Sequence, residues 1–223
     1  MHLKTLLRMI LLMGCFLKVF SQPPHVAFGQ DFVNLDFEAA DVSAYGSGPA
    51  FVPITNAMPG WQEGYAGGSQ LGFGFVIYNT VSLGSAEISL QGPGSSYQPF
   101  QGNYFVLLQP NYPSGQVIPA IAQVGTVPNS AQSLRFFAFG SLSVSFANQQ
   151  IPLSVLDSTP QYTVYGGDIS AFAGQTGELR FEGGAFLDNI FFSPQPIPEP
   201  SGFGLVACGA LLLGWRLYGR SKM

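Results

Sequence analysis

Short apolar runs alternate with clusters of Gly, Pro, Ser and Asn across residues 31–193, and no window there keeps a 3.6-residue apolar period. The pattern predicts strands at 32–37, 71–81, 86–90, 104–109, 116–124, 133–139, 142–146, 152–156, 161–165, 177–181 and 186–192. In Val33-Asn34-Leu35-Asp36-Phe37 strict alternation predicts a strand buried on one face only. Ser170-Ala171-Phe172 reads as a short turn, and Gly174-Gln175-Thr176-Gly177 and Gly183-Gly184 read as the turns around a closing hairpin. Many short strands, few helices and 20 Phe residues predict an all-β fold, an antiparallel sandwich or barrel.

The two ends follow different rules. Lys4 and Arg8 precede an apolar run from Met9 to Leu17, and Val19-Phe20-Ser21 follows. That is the layout of a secretory signal peptide over 1–21 with cleavage after Ser21, leaving a flexible segment over 22–30. Near the other end, Pro194-Gln195-Pro196-Ile197-Pro198-Glu199-Pro200-Ser201 predicts an extended linker, because each Pro fixes φ and removes a donor. An uncharged apolar stretch begins at Gly202. With Arg216 snorkelling it predicts a transmembrane helix over 202–218, close to the lower length limit for a span. Residues 219–223 form a basic tail expected to stay cytoplasmic.

Charge sharpens this division. The whole chain carries −4, but six of its eight basic residues lie in the two ends. Residues 22–197 keep only Arg135 and Arg180 against eleven acids, a net of −9. So negative a surface repels phosphate backbones and excludes nucleic acid as a partner, and it favours cations. Both cysteines, Cys15 and Cys208, fall in the ends. The β-rich middle therefore has neither a disulfide nor a thiolate site.

The last 26 or so residues resemble the PEP-CTERM sorting signal: Pro198-Glu199-Pro200, then an apolar helix, then Arg216, Arg220 and Lys222. The resemblance implies processing by an exosortase of a Gram-negative bacterium. It also implies anchoring in the inner membrane beforehand and delivery to the cell surface or extracellular matrix afterwards. The residues of the motif would be read by that protease and would not be catalytic here.

A second resemblance covers most of 31–193. Asn34-Leu35-Asp36-Phe37-Glu38 with Pro59-Gly60-Trp61, and later Phe186-Leu187-Asp188-Asn189-Ile190, are similar to the galactose-binding-like jelly roll of many carbohydrate-binding modules. It implies a structural calcium held by Glu38 and Asp188, with Asp41 in the adjoining loop, against the plainer reading of solvated acids at a sandwich edge. It also directs attention to sugar-stacking aromatics: Trp61, Tyr65, Tyr97, Tyr104 and Tyr112. The competing reading places Trp61 in the core.

Catalytic sets are sparse. His25, in the Pro-rich N-terminal segment, is the one histidine of residues 22–197. Glu63, Glu87, Asp157, Asp168, Glu178 and Glu182 could in principle pair as glycosidase carboxylates, but spacing brings no two together. The sequence thus predicts an exported adhesion or scaffolding protein of the exopolysaccharide that is not an enzyme. The alternatives are a specific carbohydrate-binding module and, third, a glycoside-active enzyme.

Overall fold

The computed structural model describes residues 31–66, 73–82, 84–111, 113 and 117–198. The expected signal peptide, the segment 22–30, the membrane helix and the basic tail lie outside these residues. Among the described residues no helix is long and apolar enough to cross a membrane.

β-Branched and aromatic runs become the strands, as their fit to a pleated surface requires. In order these are β1 (Ala50–Pro53), β2 (Gln62–Tyr65), β3 (Phe75–Tyr78), β4 (Glu87–Gln91), β5 (Phe105–Gln109), β6 (Pro119–Thr126), β7 (Ser133–Phe146), β8 (Gln149–Gln150), β9 (Leu153–Ser158), β10 (Thr163–Asp168) and β11 (Thr176–Ser193). The four-residue helix α1 (Ile54–Ala57) and single 3-10 turns at Ser43–Tyr45 and Ser170–Phe172 are the only helical pieces among the described residues. The fold is all-β, as expected.

One hydrogen-bonded sheet joins the strands in the order β1-β3-β4-β5-β11-β7-β10-β9. Its spine is β11. One edge pairs with β7 along most of its length, while the other takes β6 through Glu182 and then β5 from Ala185. Pairing is antiparallel except between β3 and β4, which run parallel, so the expectation of a purely antiparallel sheet is corrected.

Two further corrections concern the long strands. Residues 133–139 and 142–146 are one strand, β7, and 177–181 and 186–192 are one strand, β11. Gly183-Gly184 is therefore not a hairpin turn. Gly183 (φ +143°) lies opposite Leu142, and Gly140 (φ +125°) lies opposite Ala185, so the two strands bend together at adjacent positions. A Cβ at either glycine would run into the facing backbone. Side chains on the inner side keep one parity through the bend, with Leu134, Phe136, Val144 and Phe146 on β7 and Leu179, Phe181 and Leu187 on β11 in the same core. The sheet therefore curls around its core.

The predicted strand at 32–37 is also absent. Only the isolated bridge Asp31–Thr126 remains there, and Asn34 and Phe37 both have positive φ. Gln123 supplies the missing ladder: its side chain accepts from Val33 N (2.6 Å) and donates to Val33 O (3.0 Å). The segment turns instead of extending. Fully buried Phe37 packs on Trp61 at 5.6 Å between ring centroids, and Asn34 Oδ1 accepts from Ala39 N. The turn places Glu38 beside the residues that lead into β5.

Candidate functional site

The outer face of the curled sheet, opposite the core, is aromatic. Along β7 the outward positions are Arg135, Phe137 and Phe139. Phe139 is the cross-strand partner of Phe186 on β11, which in turn faces Leu107 on β5. Phe105 lies two residues before Leu107 on that same outer side. Phe105 and Phe186 have centroids 5.6 Å apart, and Phe139 and Phe186 6.3 Å apart. These rings floor a cleft of about 430 Å³.

Two connections build its walls. Residues 95–101, between β4 and β5, contribute Tyr97, Gln98, Pro99 and Phe100. The turn before β10 contributes Pro160, Gln161 and Tyr162. Thr159 Oγ1 organises that turn by accepting from Gln161 N (3.2 Å) and Tyr162 N (3.1 Å). Tyr97 leans on Phe186 at 5.1 Å, Phe100 on Tyr162 at 5.2 Å, and Tyr162 stacks on Phe137 at 4.7 Å. Tyr97 is 41% exposed and Phe139 56%, so both offer open ring faces. A second depression of about 350 Å³ continues past Tyr97, Phe139 and Phe186 toward Pro110. Among the described residues no charged side chain lines either. The volume falls toward the lower end of the roughly 300–1,000 Å³ usual for small-ligand sites, and the lining suits a neutral, ring-bearing ligand.

The wall at 95–101 is fixed from both ends. Ser95 Oγ donates to Gln91 Oε1 (2.6 Å) and accepts from Tyr97 N (3.1 Å). At the far end, Asp188 Oδ2 accepts from Phe100 N (3.0 Å) and Gln101 N (2.9 Å), while its Oδ1 accepts from Asn189 N (2.7 Å). Glu38 Oε1 then accepts from Asn103 N (2.7 Å) and Tyr104 N (2.9 Å), and Oε2 from Asn103 Nδ2 (3.1 Å). Gly102 (φ +63°) lies between the two holds, and a Cβ there would collide with the Glu38 carboxylate.

Asp188 is fully buried. Burial pushes its carboxyl up to about 7, against the pull of its three N–H donors, and neighbouring Glu38 adds to the rise. The two carboxylates that the family resemblance assigns to calcium thus come together around one turn. The donor set fits in part. A cation would relieve both their repulsion and the burial of Asp188, but two carboxylates give four oxygens at most, fewer than the six to eight calcium takes. Loop carbonyls and water would have to complete the shell. Asp41 turns its Oδ1 to Ser43 instead, and among the described residues no three His, Cys, Asp or Glu side chains converge on a metal-sized site.

Of the four described residues among the five aromatics proposed for sugar, only Tyr97 lines the cleft. Trp61 is buried (3% exposed) and donates Nε1–H to Asn34 O at 2.9 Å, so it presents no face to a ligand. Tyr65 is half-buried against Phe73, and Tyr104 is half-buried over Gly92. Tyr112 lies outside the described residues, as do the sorting-signal residues Glu199, Pro200, Arg216, Arg220 and Lys222, and Pro198 is exposed. Phe100, Phe105, Phe139, Tyr162 and Phe186 escaped the sequence reading. Phe105 and Phe139 carry one signal, because Phe105-Val106-Leu107-Leu108 and Phe136-Phe137-Ala138-Phe139 are apolar on both faces of strands whose second face would otherwise be polar.

The six carboxylates weighed as glycosidase candidates do not meet in the cleft. Glu63 is buried beside Ile121 on the core face, and Glu178 and Glu182 flank Arg180.

No protein-family model and no curated protein matches the chain. Among solved structures it is similar to an apo-form cyclase from Fischerella sp., at 13% identity, covering 73% of this chain and 93% of that one, TM-score 0.39. It is similar also to the Stig cyclase Fisc from Fischerella sp. TAU in complex with (3Z)-3-(1-methyl-2-pyrrolidinylidene)-3H-indole, at 13% identity, covering 73% and 94%, TM-score 0.40. Both are enzymes, and the expectation that the chain is not an enzyme is corrected on that finding. Likeness at this level assigns no reaction, ligand or residue to this chain.

Proposed function

We propose that this chain is an exported surface or matrix protein whose β-sandwich, of jelly-roll type, binds neutral glycan through the aromatic cleft on its outer face. The observation that carries the reading is the pair of open rings, Tyr97 and Phe139, set beside Phe186 in an uncharged cleft. A pyranose presents an apolar face of C–H groups that stacks on such rings. Gln98, Gln161 and the phenol groups of Tyr97 and Tyr162 supply hydrogen bonds for hydroxyls at the rim. The two joined depressions suit a polymer better than a single sugar.

The sorting tail supplies the location. A signal peptide and a PEP-CTERM tail would deliver the domain to the exopolysaccharide, where weak contacts repeated along a polymer give adhesion through multivalency. Calcium at Glu38 and Asp188 belongs to the same proposal, as a brace for the cleft wall. The test is a glycan array probed with the processed protein in calcium, together with its localisation in the native host. Binding to neutral polysaccharides and recovery at the cell surface or in the matrix are expected. Uniform silence on the array removes the glycan reading, and cytoplasmic retention removes the export reading.

A further inference from the structure

The segment leading to the sorting motif is not a free linker. Ser133 Oγ donates to Gln195 O (2.7 Å) and accepts from Arg135 Nε (3.0 Å). Arg135 Nη2 reaches both Gln195 O (3.3 Å) and Pro196 O (3.4 Å). Gln195 N donates to Ser193 Oγ (3.1 Å), and Ser193 O accepts from Gln132 N (2.8 Å). Beyond these bonds Ile197 lies over Gly166, the direct cross-strand partner of Arg135, and shares the seat with Leu156. A Cβ at Gly166 would make both side chains shift.

The two arginines of the described residues differ in use. Arg180 is paired with Glu178 and Glu182. Arg135 has no carboxylate within ion-pair distance among the described residues and turns its guanidinium to the carbonyls of a Pro-rich strap. The seat ends at Ile197, one residue before Pro198-Glu199-Pro200. From Ile197 to Gly202 the chain can extend only about 17 Å, at roughly 3.3–3.6 Å per residue.

We propose that Arg135, Ser133 and Gly166 form a docking seat for residues 195–197, immediately ahead of the sorting motif, and that this strap must undock before the motif can be processed. The proposal rests on the sorting-signal reading of the tail. A protease that takes its substrate as an extended segment needs residues on both sides of the motif. While the strap is seated, those on the N-terminal side are bonded to β7 and packed over β10. The rate of processing then scales with the undocked fraction. Arg135 is a positioning residue in this scheme and touches no reacting atom.

The test uses the full-length chain in an exosortase-bearing host, following tail removal by the shift in mass of pulse-labelled protein. Arg135→Ala removes the carbonyl clamp. Ile197→Gly removes the apolar plug without touching the sandwich. Both are expected to raise the processing rate, Arg135→Ala by roughly tenfold for the loss of its charged hydrogen bonds. Amide exchange in the segment 191–197 should accelerate alongside. Processing that is unchanged or slower, while exchange accelerates, overturns the gate. If the wild-type tail is never removed, the sorting reading fails, and exchange judges the seat alone: equal exchange in wild type and Arg135→Ala overturns it as well.

Discussion

Asp188 and Glu38 hold opposite ends of one turn: Asp188 takes the amides of Phe100 and Gln101, and Glu38 those of Asn103 and Tyr104. The residues between β4 and β5 that wall the aromatic cleft are thereby tied to the first turn and the last strand of the fold.

That arrangement fixes a pH dependence. The folded-state pKa of Asp188 is raised to about 7 from an unfolded value of 3.8, so the folded protein keeps a proton that the unfolded chain has lost. Without divalent cations, stability should fall as pH rises from about 4 to about 7 and level off beyond, a loss on the order of 4 kcal/mol. Urea unfolding across that range, in chelator, measures it. Asp188→Asn should flatten the slope. A curve that rises with pH would contradict the buried carboxyl.

Calcium should act in the opposite sense. A metal ion needs Asp188 ionised, so the rise in Tm with calcium over chelator should be larger at pH 8 than at pH 5. Equal melting in calcium and chelator at both pH values would leave the N–H donors as the sole hold on the turn and remove the metal from the account.

Gly102→Ala tests the turn without touching either carboxylate. Its φ of +63° and the Glu38 carboxylate against it make any side chain costly, by about 1 kcal/mol or more. Glycan affinity should fall together with stability, because the same turn positions Phe100. Unaltered affinity in the folded fraction would separate wall from turn.

Trp61 and Phe139 should part company under substitution. Trp61→Ala opens a cavity beside Phe37 and Phe181 and should cost about 3–5 kcal/mol. Phe139→Ala, at an exposed position, should leave Tm nearly unchanged and weaken ligand binding. Differential scanning calorimetry on the pair checks the first half of that contrast.

Much of the fold was legible because strand patterning is local. The runs at 86–90 and 104–109 differ from β4 and β5 by one residue at most. Long-range pairing was not legible. Gly183-Gly184 looks like a turn in isolation, yet β7 pairs straight through it and keeps β11 continuous. Val33 to Phe37 alternates like a strand, but Gln123 takes the ladder position and burial of Phe37 fixes a positive φ. For the site, Glu38 and Asp188 were found through family motifs at the two ends of the domain. The cleft was missed because its rings come from four distant segments. Tyr97 and Phe100 share one Gly/Pro-rich stretch of the kind that draws attention to exposed aromatics, and only the tyrosine suggests itself there as a sugar platform.

The central claim is that the outer-face cleft binds neutral glycan, and the most direct measurement is isothermal titration of one neutral oligosaccharide into wild type and Phe139→Ala, in calcium. The account predicts saturable binding by wild type and a loss of roughly tenfold or more in the variant, the equivalent of one aromatic contact of about 1.4 kcal/mol. Equal affinity in the two proteins would contradict it and move any glycan site off this face.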